Sequence, residues 1–170
     1  HCFRRLGICW GAQALLNHLH DVPKHGLDAK CFGVFDHQVT ENMSRLMKGF
    51  TDNFPMPVSR YTYNGRDDIL AADGLELLAE SQIAGPGMVR DKSTGDIFIL
   101  NHLEYDAETL AAEYHRDADE GLETALPYNY FPNDDPSQTP INFWRPFAYL
   151  FMANWLHDLY QATPFDLSNL

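Results

Sequence analysis

The sequence predicts an α/β fold with a doubly wound sheet and a reactive cysteine at the end of one strand. A short apolar run leads into Gly7-Ile8-Cys9-Trp10-Gly11, which passes straight into an Ala- and Leu-rich segment. A second apolar strand, 97–100, is followed at once by His102-Leu103-Glu104. With 170 residues, 45% of them hydrophobic, the chain can bury one core and is expected to form one domain.

The stretch around Cys9 has the strand–turn–helix context of a nucleophile elbow. We expect Gly7 and Gly11 to let the strand and the helix pack closely beneath Cys9. The N-terminal end of the helix favours a thiolate, and the backbone N–H of Trp10 can point at a developing oxyanion. On this motif alone, a buried structural cysteine at an ordinary strand-to-helix turn fits as well.

The second motif supplies what a thiol nucleophile needs, a base and a carboxylate that orients it. Residues two apart on an extended segment point to the same side, so His102 and Glu104 form a plausible pair. Cys9, His102 and Glu104 together are typical of the class I glutamine amidotransferase-like fold. The expected architecture is therefore a flavodoxin-like doubly wound sheet of that type.

Composition and charge argue against several classes of partner and site. The net charge is −12 and there is no basic run, which argues against nucleic acid and anionic membrane surfaces as partners. Three cysteines without a paired framework indicate a reducing cytoplasm, and no apolar run approaches a membrane span. His18, His20 and His25 lack a convincing metal-ligand spacing, so no metal is expected.

The chain begins without Met, almost directly on the strand that leads to Cys9. A doubly wound sheet normally has several strand–helix units before such an elbow. We therefore expect residues 1–170 to be the C-terminal, nucleophile-bearing part of a single domain whose N-terminal half is absent.

The remaining elements follow from apolar periodicity and turn residues. The expected helices are 12–20, with Leu15, Leu16 and Leu19 inward, 106–121 and 144–161, most of whose aromatic side chains are expected in the core. The expected strands are 30–36, an edge strand at 75–79, and a hairpin of 88–90 with 96–100 that delivers His102. Residues 43–48 are expected to be short helix or irregular, and 50–57 and 127–140 to be loops, the latter too aromatic for a flexible linker.

With these segments in place, the chain resembles the homoserine O-acyltransferases, also called homoserine O-succinyltransferases or O-acetyltransferases. The resemblance runs to residues 164–167 and spans the whole chain, but only about the C-terminal half of the family's usual length. The motifs that carry it are Cys9-Trp10-Gly11-Ala12-Gln13-Ala14, Ser59-Arg60-Tyr61, His102-Leu103-Glu104-Tyr105-Asp106, Glu113-Tyr114-His115-Arg116-Asp117, Tyr128-Asn129-Tyr130-Phe131-Pro132, Asp135-Pro136 and Asn154-Trp155-Leu156.

The resemblance implies that Cys9 takes an acyl group from acetyl-CoA or succinyl-CoA as a thioester, in methionine biosynthesis. His102 would be the base toward homoserine, with Glu104 orienting it. Three further residues would contact substrate: Lys30, Ser59 and Arg116. From the residues alone, Lys30 and Arg116 could equally be solvated surface charges. No permanently bound cofactor is implied, and we expect a homodimer that also needs the N-terminal half.

Some positions depart from the family pattern. Asn101 and Leu103 flank His102 where the family usually has Gly-His-Pro-Glu, Val58 replaces a histidine, and Pro146-Phe147 replaces Ser-His. Three alternatives stay open on the sequence. They are serine as the acceptor, a glutamine amidotransferase-like hydrolase, and an interaction module without catalysis. Serine stays open because one methylene gives only about 1–3 kcal/mol of discrimination.

Overall fold

The computed structural model describes residues 3–41 and 43–164, so Cys2 and the family-like residues 165–167 lie outside it. Within this part, six strands form one sheet in the order β1-β6-β5-β4-β2-β3. The strands are β1 (Leu6–Ile8), β2 (His25–Val39), β3 (Asn53–Tyr63), β4 (Leu75–Ser81), β5 (Gly85–Asp91) and β6 (Ile97–Ile99). The helices are α1 (Trp10–His20), α2 (Arg66–Ala71), α3 (Thr109–Asp119) and α4 (Arg145–Ala162), with 3-10 turns at Arg45–Met47 and Pro132–Asp134.

The described sheet is mixed, and helices pack on both of its faces. Strand β1 lies at one edge and runs parallel to β6, while the other pairings are antiparallel. The predicted hairpin is confirmed, because β5 and β6 pair from Met88↔Ile99 to Arg90↔Ile97. The prediction of 75–79 as an edge strand is wrong. Strand β4 lies between β5 and β2, since the long β2–β3 hairpin adds to the sheet outside it.

The prediction of a loop at 50–57 is also wrong, because most of this segment belongs to β3. Its two prolines, Pro55 and Pro57, pair in register with Asp36 and Val34 of β2. Proline cannot donate a ladder hydrogen bond and is confined to edge strands and strand ends. In the described part of the chain β3 pairs only with β2 and is an edge strand, so the prolines are accommodated.

Two helical layers cover the sheet. Helices α1 and α2 contribute Leu16 and Ile69 to a core with residues of β4, β5 and β6. Helix α4 contributes Phe151 to a second core that includes residues of β3, β4, β5 and β6. Leu19, predicted to face inward, is instead exposed, and the short helix α2 was not anticipated. The prediction that most α4 aromatic side chains are core is confirmed for Phe151, which is buried, and for Phe147 and Trp155, which pack against the same core. One face of α4 nevertheless has four exposed large side chains: Tyr149, Met152, Leu156 and Tyr160.

The segment 127–140 packs on the sheet instead of acting as a linker. The backbone of Tyr128 exchanges hydrogen bonds with the N–H of Val34 and the carbonyl of Phe32, at 2.8 and 2.9 Å. Gly33, between them, has a φ of 140°, and a Cβ there would lie 2.4 Å from backbone atoms of Tyr128. Only glycine fits this approach. Among residues 3–41 and 43–164, no helix combines the length and apolar character needed to cross a bilayer.

Candidate active site

Cys9 occupies a strained turn between β1 and α1. Its φ and ψ are 49° and −120°, an uncommon conformation for a residue with a side chain, and it forms the N-cap of α1. The Cys9 N–H donates to the carbonyl of Ile99 at 2.7 Å, which ties the turn to the end of β6. A Cβ on Gly7 would lie 2.9 Å from the Ala12 backbone, so Gly7 permits the close packing predicted for it.

The corresponding prediction for Gly11 is wrong. A Cβ at Gly11 would meet no described atom within 4 Å, so the packing of α1 against β1 does not require a glycine there. The reason is its position on α1, where the added atom points away from the strand instead of toward it.

Trp10, the residue predicted to serve an oxyanion, is the first residue of α1. The N–H groups in the first turn of a helix have no acceptor within that helix. The amide of Trp10 therefore stands next to the Cys9 thiol at the positive end of the α1 dipole. Its side chain is exposed and plays no part in this geometry.

His102 lies directly beyond β6, in contact with both predicted partners. Its backbone N–H donates to the carbonyl of Pro57 at 2.9 Å, and its Nδ1 lies 2.6 Å from Oε1 of Glu104. Burial lowers the pKa of His102, but hydrogen bonds with Cys9 and Glu104, together with their negative charges, raise the pKa to about 9. The arrangement can hold a thiolate beside an imidazolium.

A second polar cluster is centred on the Glu113 carboxylate of α3. Its Oε2 accepts from the Ser59 hydroxyl at 2.5 Å and from Nζ of Lys30 at 3.2 Å. Burial alone would raise the pKa of Glu113, but these two donors and the charge of Lys30 lower it. Nζ of Lys30 also donates to Asp117 at 3.2 Å. Two of the predicted substrate residues, Lys30 and Ser59, are therefore brought together by a carboxylate.

Tyr105 connects the two clusters. Its ring stacks on the imidazole of His102, with centroids 4.0 Å apart and planes 20° apart. Its hydroxyl donates to Oε1 of Glu113 at 3.1 Å. Burial and the Glu113 carboxylate raise the pKa of Tyr105, so the phenol stays a donor. The Tyr105 side chain therefore contacts both the base, His102, and the Glu113 cluster.

Arg116, the third predicted substrate residue, is placed differently from Lys30 and Ser59. Its side chain is 59% exposed, and its Nε and one Nη donate to Oδ1 of Asp117 at 2.9 and 2.5 Å. Since the other oxygen of Asp117 accepts from Lys30, Arg116 borders the cluster through this carboxylate.

Sequence reasoning named no role for Glu113 or Tyr105. A usable signal was present, because Glu113 and Asp117 are four residues apart and lie on one helix face, where they can hold a lysine between them. No local signal marks the partner, since Lys30 and Ser59 precede Glu113 by 83 and 54 residues.

A family model and the curated relatives of this chain both point to the homoserine O-acyltransferases. A family model described as homoserine O-succinyltransferase matches residues 1–165. A homoserine O-acetyltransferase of a Ruegeria species is 46% identical over 96% of this chain and 53% of its own length. One of Cereibacter sphaeroides is 44% identical over all of this chain and 56% of its own length. The chain spans about half the length of these curated relatives.

Solved structures match the fold at much lower identity. A glutamine amidotransferase from Methylobacillus flagellatus aligns with a TM-score of 0.61 and 15% identity, over 89% of this chain and 61% of that one. The similarity supports the predicted class I glutamine amidotransferase-type fold.

Proposed function

Because the chain belongs to the homoserine O-succinyltransferase family, we propose that the protein is an acyl-CoA-dependent O-acyltransferase whose acceptor is the hydroxyl of L-homoserine. The observation that carries the proposal is the contact of Cys9, in its strained turn, with His102, whose Nδ1 is held by Glu104. The second cluster, beside this triad, offers a site for a small amino acid.

In the first half-reaction, the Cys9 sulfur attacks the thioester carbonyl of acyl-CoA. The Trp10 N–H faces the oxyanion, and the CoA sulfur leaves with a proton from His102. Glu104 occupies Nδ1 of His102, so Nε2 is the ring nitrogen that remains for this transfer. The product is an acyl thioester on Cys9.

In the second half-reaction, His102 takes the proton of the acceptor hydroxyl, whose oxygen attacks the thioester and releases Cys9. Acylation prepares the base for this step. The Cys9 negative charge helps raise the pKa of His102, and it is removed when the sulfur becomes a thioester. The imidazole, which has given its proton to the CoA sulfur, then stays neutral more readily and can act as a base near neutral pH.

The acceptor is a zwitterion, and Arg116, Ser59 and Lys30 are assigned to it. The exposed Arg116 fork suits a carboxylate, because a guanidinium can donate two parallel hydrogen bonds. Glu113 holds Lys30 and Ser59 in place. Tyr105 contacts both His102 and Glu113, which supports an acceptor bound at this cluster with its hydroxyl toward the base.

We assign acetyl-CoA as the donor, because the similar relatives carry the name homoserine O-acetyltransferase, although the family model is named for succinyl transfer. Acyl-CoA is a co-substrate in this scheme and not a resident group. The product would feed methionine biosynthesis, and the cytoplasm supplies both substrates.

We also propose that this segment works with an N-terminal half in the same protein, and that the protein is a homodimer. Strand β1 is an edge strand of the described sheet, with Leu6 and Ile8 only partly buried, and α4 has an exposed apolar face. Apolar edges of this kind favour association. The isolated 170-residue segment should aggregate or stay inactive. A soluble monomer that unfolds cooperatively in sedimentation and denaturation experiments would contradict this.

Product analysis tests the proposed reaction. The intact protein is given acetyl-CoA or succinyl-CoA with homoserine or serine, and separately glutamine alone. O-acetylhomoserine should be the main product. Preferential formation of O-acetylserine would overturn the acceptor, and ammonia release from glutamine without CoA consumption would indicate an amidotransferase-like hydrolase instead.

A further inference from the structure

Arg60 of β3 is a buried cation, and no carboxylate among residues 3–41 and 43–164 pairs with it. The residue is 6% exposed and forms no ion pair with any described side chain. Its Nε donates to the Asn101 side-chain oxygen at 3.2 Å, and its two terminal nitrogens donate to the carbonyls of Thr62 (2.9 Å) and Ala84. A buried charge is costly unless its surroundings use it, so this arrangement requires an explanation.

The contacts of Arg60 extend in both directions through buried groups. The Thr62 carbonyl that binds Arg60 also accepts from the Gln13 amide at 3.0 Å, and the Thr62 hydroxyl donates back to Gln13 at 2.7 Å. On the other side, the Asn101 amide donates to Nε2 of His37 at 2.8 Å. His37 is fully buried and uses its Nδ1 on the carbonyl of Phe35, so it accepts from Asn101 as a neutral ring.

The two ends of this chain of hydrogen bonds lie at the reacting groups. Gln13 is one turn into α1, and its N–H donates to the Cys9 carbonyl at 3.0 Å. Asn101 immediately precedes His102. Arg60 therefore stands between the helix that presents the thiol and the loop that presents the base. Its charge also acts on the sulfur atoms nearby, because the Cys9 and Cys31 thiols, when ionised, oppose the lowering of the Arg60 pKa by burial.

We propose that Arg60 is a positioning residue which ties the Cys9 helix to the His102 loop through Gln13–Thr62 and Asn101 and which holds a positive charge between these two elements. The inference rests on the proposed function only in that the thiol and the imidazole are taken as the reacting pair. It assigns Arg60 two separable tasks, an electrostatic one and a geometric one.

Replacing Arg60 with lysine separates the electrostatic task from the geometric one. Arg60→Lys keeps the charge but loses the planar fork that reaches Asn101 and two carbonyls at once. Arg60→Gln loses the charge as well. Arg66, whose exposed side chain pairs with Glu80 on the surface, supplies a matched control in Arg66→Gln.

The electrostatic task is tested by carbamidomethylation of Cys9 with iodoacetamide in the intact protein, followed across pH and located by peptide mass. Arg60→Gln should move the midpoint measurably upward, because loss of a buried positive charge between the Cys9 helix and the His102 loop makes a thiolate there less favourable. Arg60→Lys and Arg66→Gln should keep the wild-type midpoint. An unchanged midpoint in folded Arg60→Gln would overturn the electrostatic task.

The geometric task is tested by turnover. Arg60→Lys and Asn101→Ala should each lower kcat about tenfold or more with little change in the KM of either substrate, since misplacing reacting groups costs rate more than binding. Full activity in both variants would overturn the geometric task. Asn101→Ala leaves Arg60 in place and tests the geometric task even if neither Arg60 variant folds. Iodoacetamide needs neither CoA nor homoserine, so an unchanged midpoint in an active acyltransferase refutes this inference and leaves the proposed function intact.

Discussion

Nδ1 of His102 lies 2.6 Å from Oε1 of Glu104, two residues further along the chain. The imidazole is almost completely buried, whereas the carboxylate is half exposed. This short link joins two neighbours in the sequence and fixes the orientation of the ring. The carboxylate therefore orients the base, and its exposure leaves room for water to compensate when it is replaced.

This difference predicts unequal losses. His102→Ala should remove more than a hundredfold of the transfer rate, since general base catalysis contributes about 10²–10⁴-fold. Glu104→Gln should cost less, because the amide can still accept a hydrogen bond from the ring. Steady-state kcat/KM of both variants measures this, with Glu108→Gln on the exposed surface as the control. A larger loss in Glu104→Gln than in His102→Ala would mean that the roles are assigned wrongly.

Arg116→Lys should weaken acceptor binding and leave the donor half-reaction nearly normal. Lysine keeps the charge but cannot form two parallel hydrogen bonds to a carboxylate. A lost charge-assisted bond of about 1.5–3 kcal/mol corresponds to roughly a ten- to hundredfold higher KM for homoserine. Quenched-flow measurement of each half-reaction separates the two. Equal slowing of Cys9 acylation would place Arg116 at the donor site or in the fold.

His37 predicts a pH-dependent stability. Burial lowers its pKa to about 4 against an ordinary value of 6.5, while its hydrogen bond to the Phe35 carbonyl acts in the opposite direction. Between about pH 4 and 6.5 the unfolded chain therefore binds a proton at His37 that the native protein does not bind. This contribution to stability is complete above pH 6.5 and is lost as the pH falls toward 4.

Urea unfolding between pH 7 and 5 measures this contribution. The free energy of unfolding should fall by at most about 1.4 kcal/mol per pH unit from His37. His37→Gln should flatten this part of the profile, while His157→Gln, at an exposed position, should leave it unchanged. An identical slope in wild type and His37→Gln would show that His37 is not buried as a neutral ring.

The parts of the site that the sequence predicted depend on local geometry. The turn at Cys9 follows from Gly7 and the adjacent apolar strand, and the position of His102 follows from a hairpin closed within a few residues. The Glu113 cluster and the Arg60 network were beyond reach because each depends on bonds between residues far apart in the sequence. Lys30 and Asp117 are 87 positions apart, Ser59 and Glu113 are 54 apart, and Arg60 and Asn101 are 41 apart. Residues 50–57 were misjudged for another reason, since proline weakens a strand prediction unless the strand is known to lie at an edge.

Intact-mass spectrometry of the protein incubated with acetyl-CoA alone is the sharpest test of the Cys9 thioester. We expect a single added acetyl group that maps to Cys9, disappears on addition of homoserine, and is absent from Cys9→Ala but present in Cys31→Ser. Failure of the intact wild-type protein to form an adduct at Cys9 with any acyl-CoA, or a stable adduct that homoserine does not remove, would contradict it.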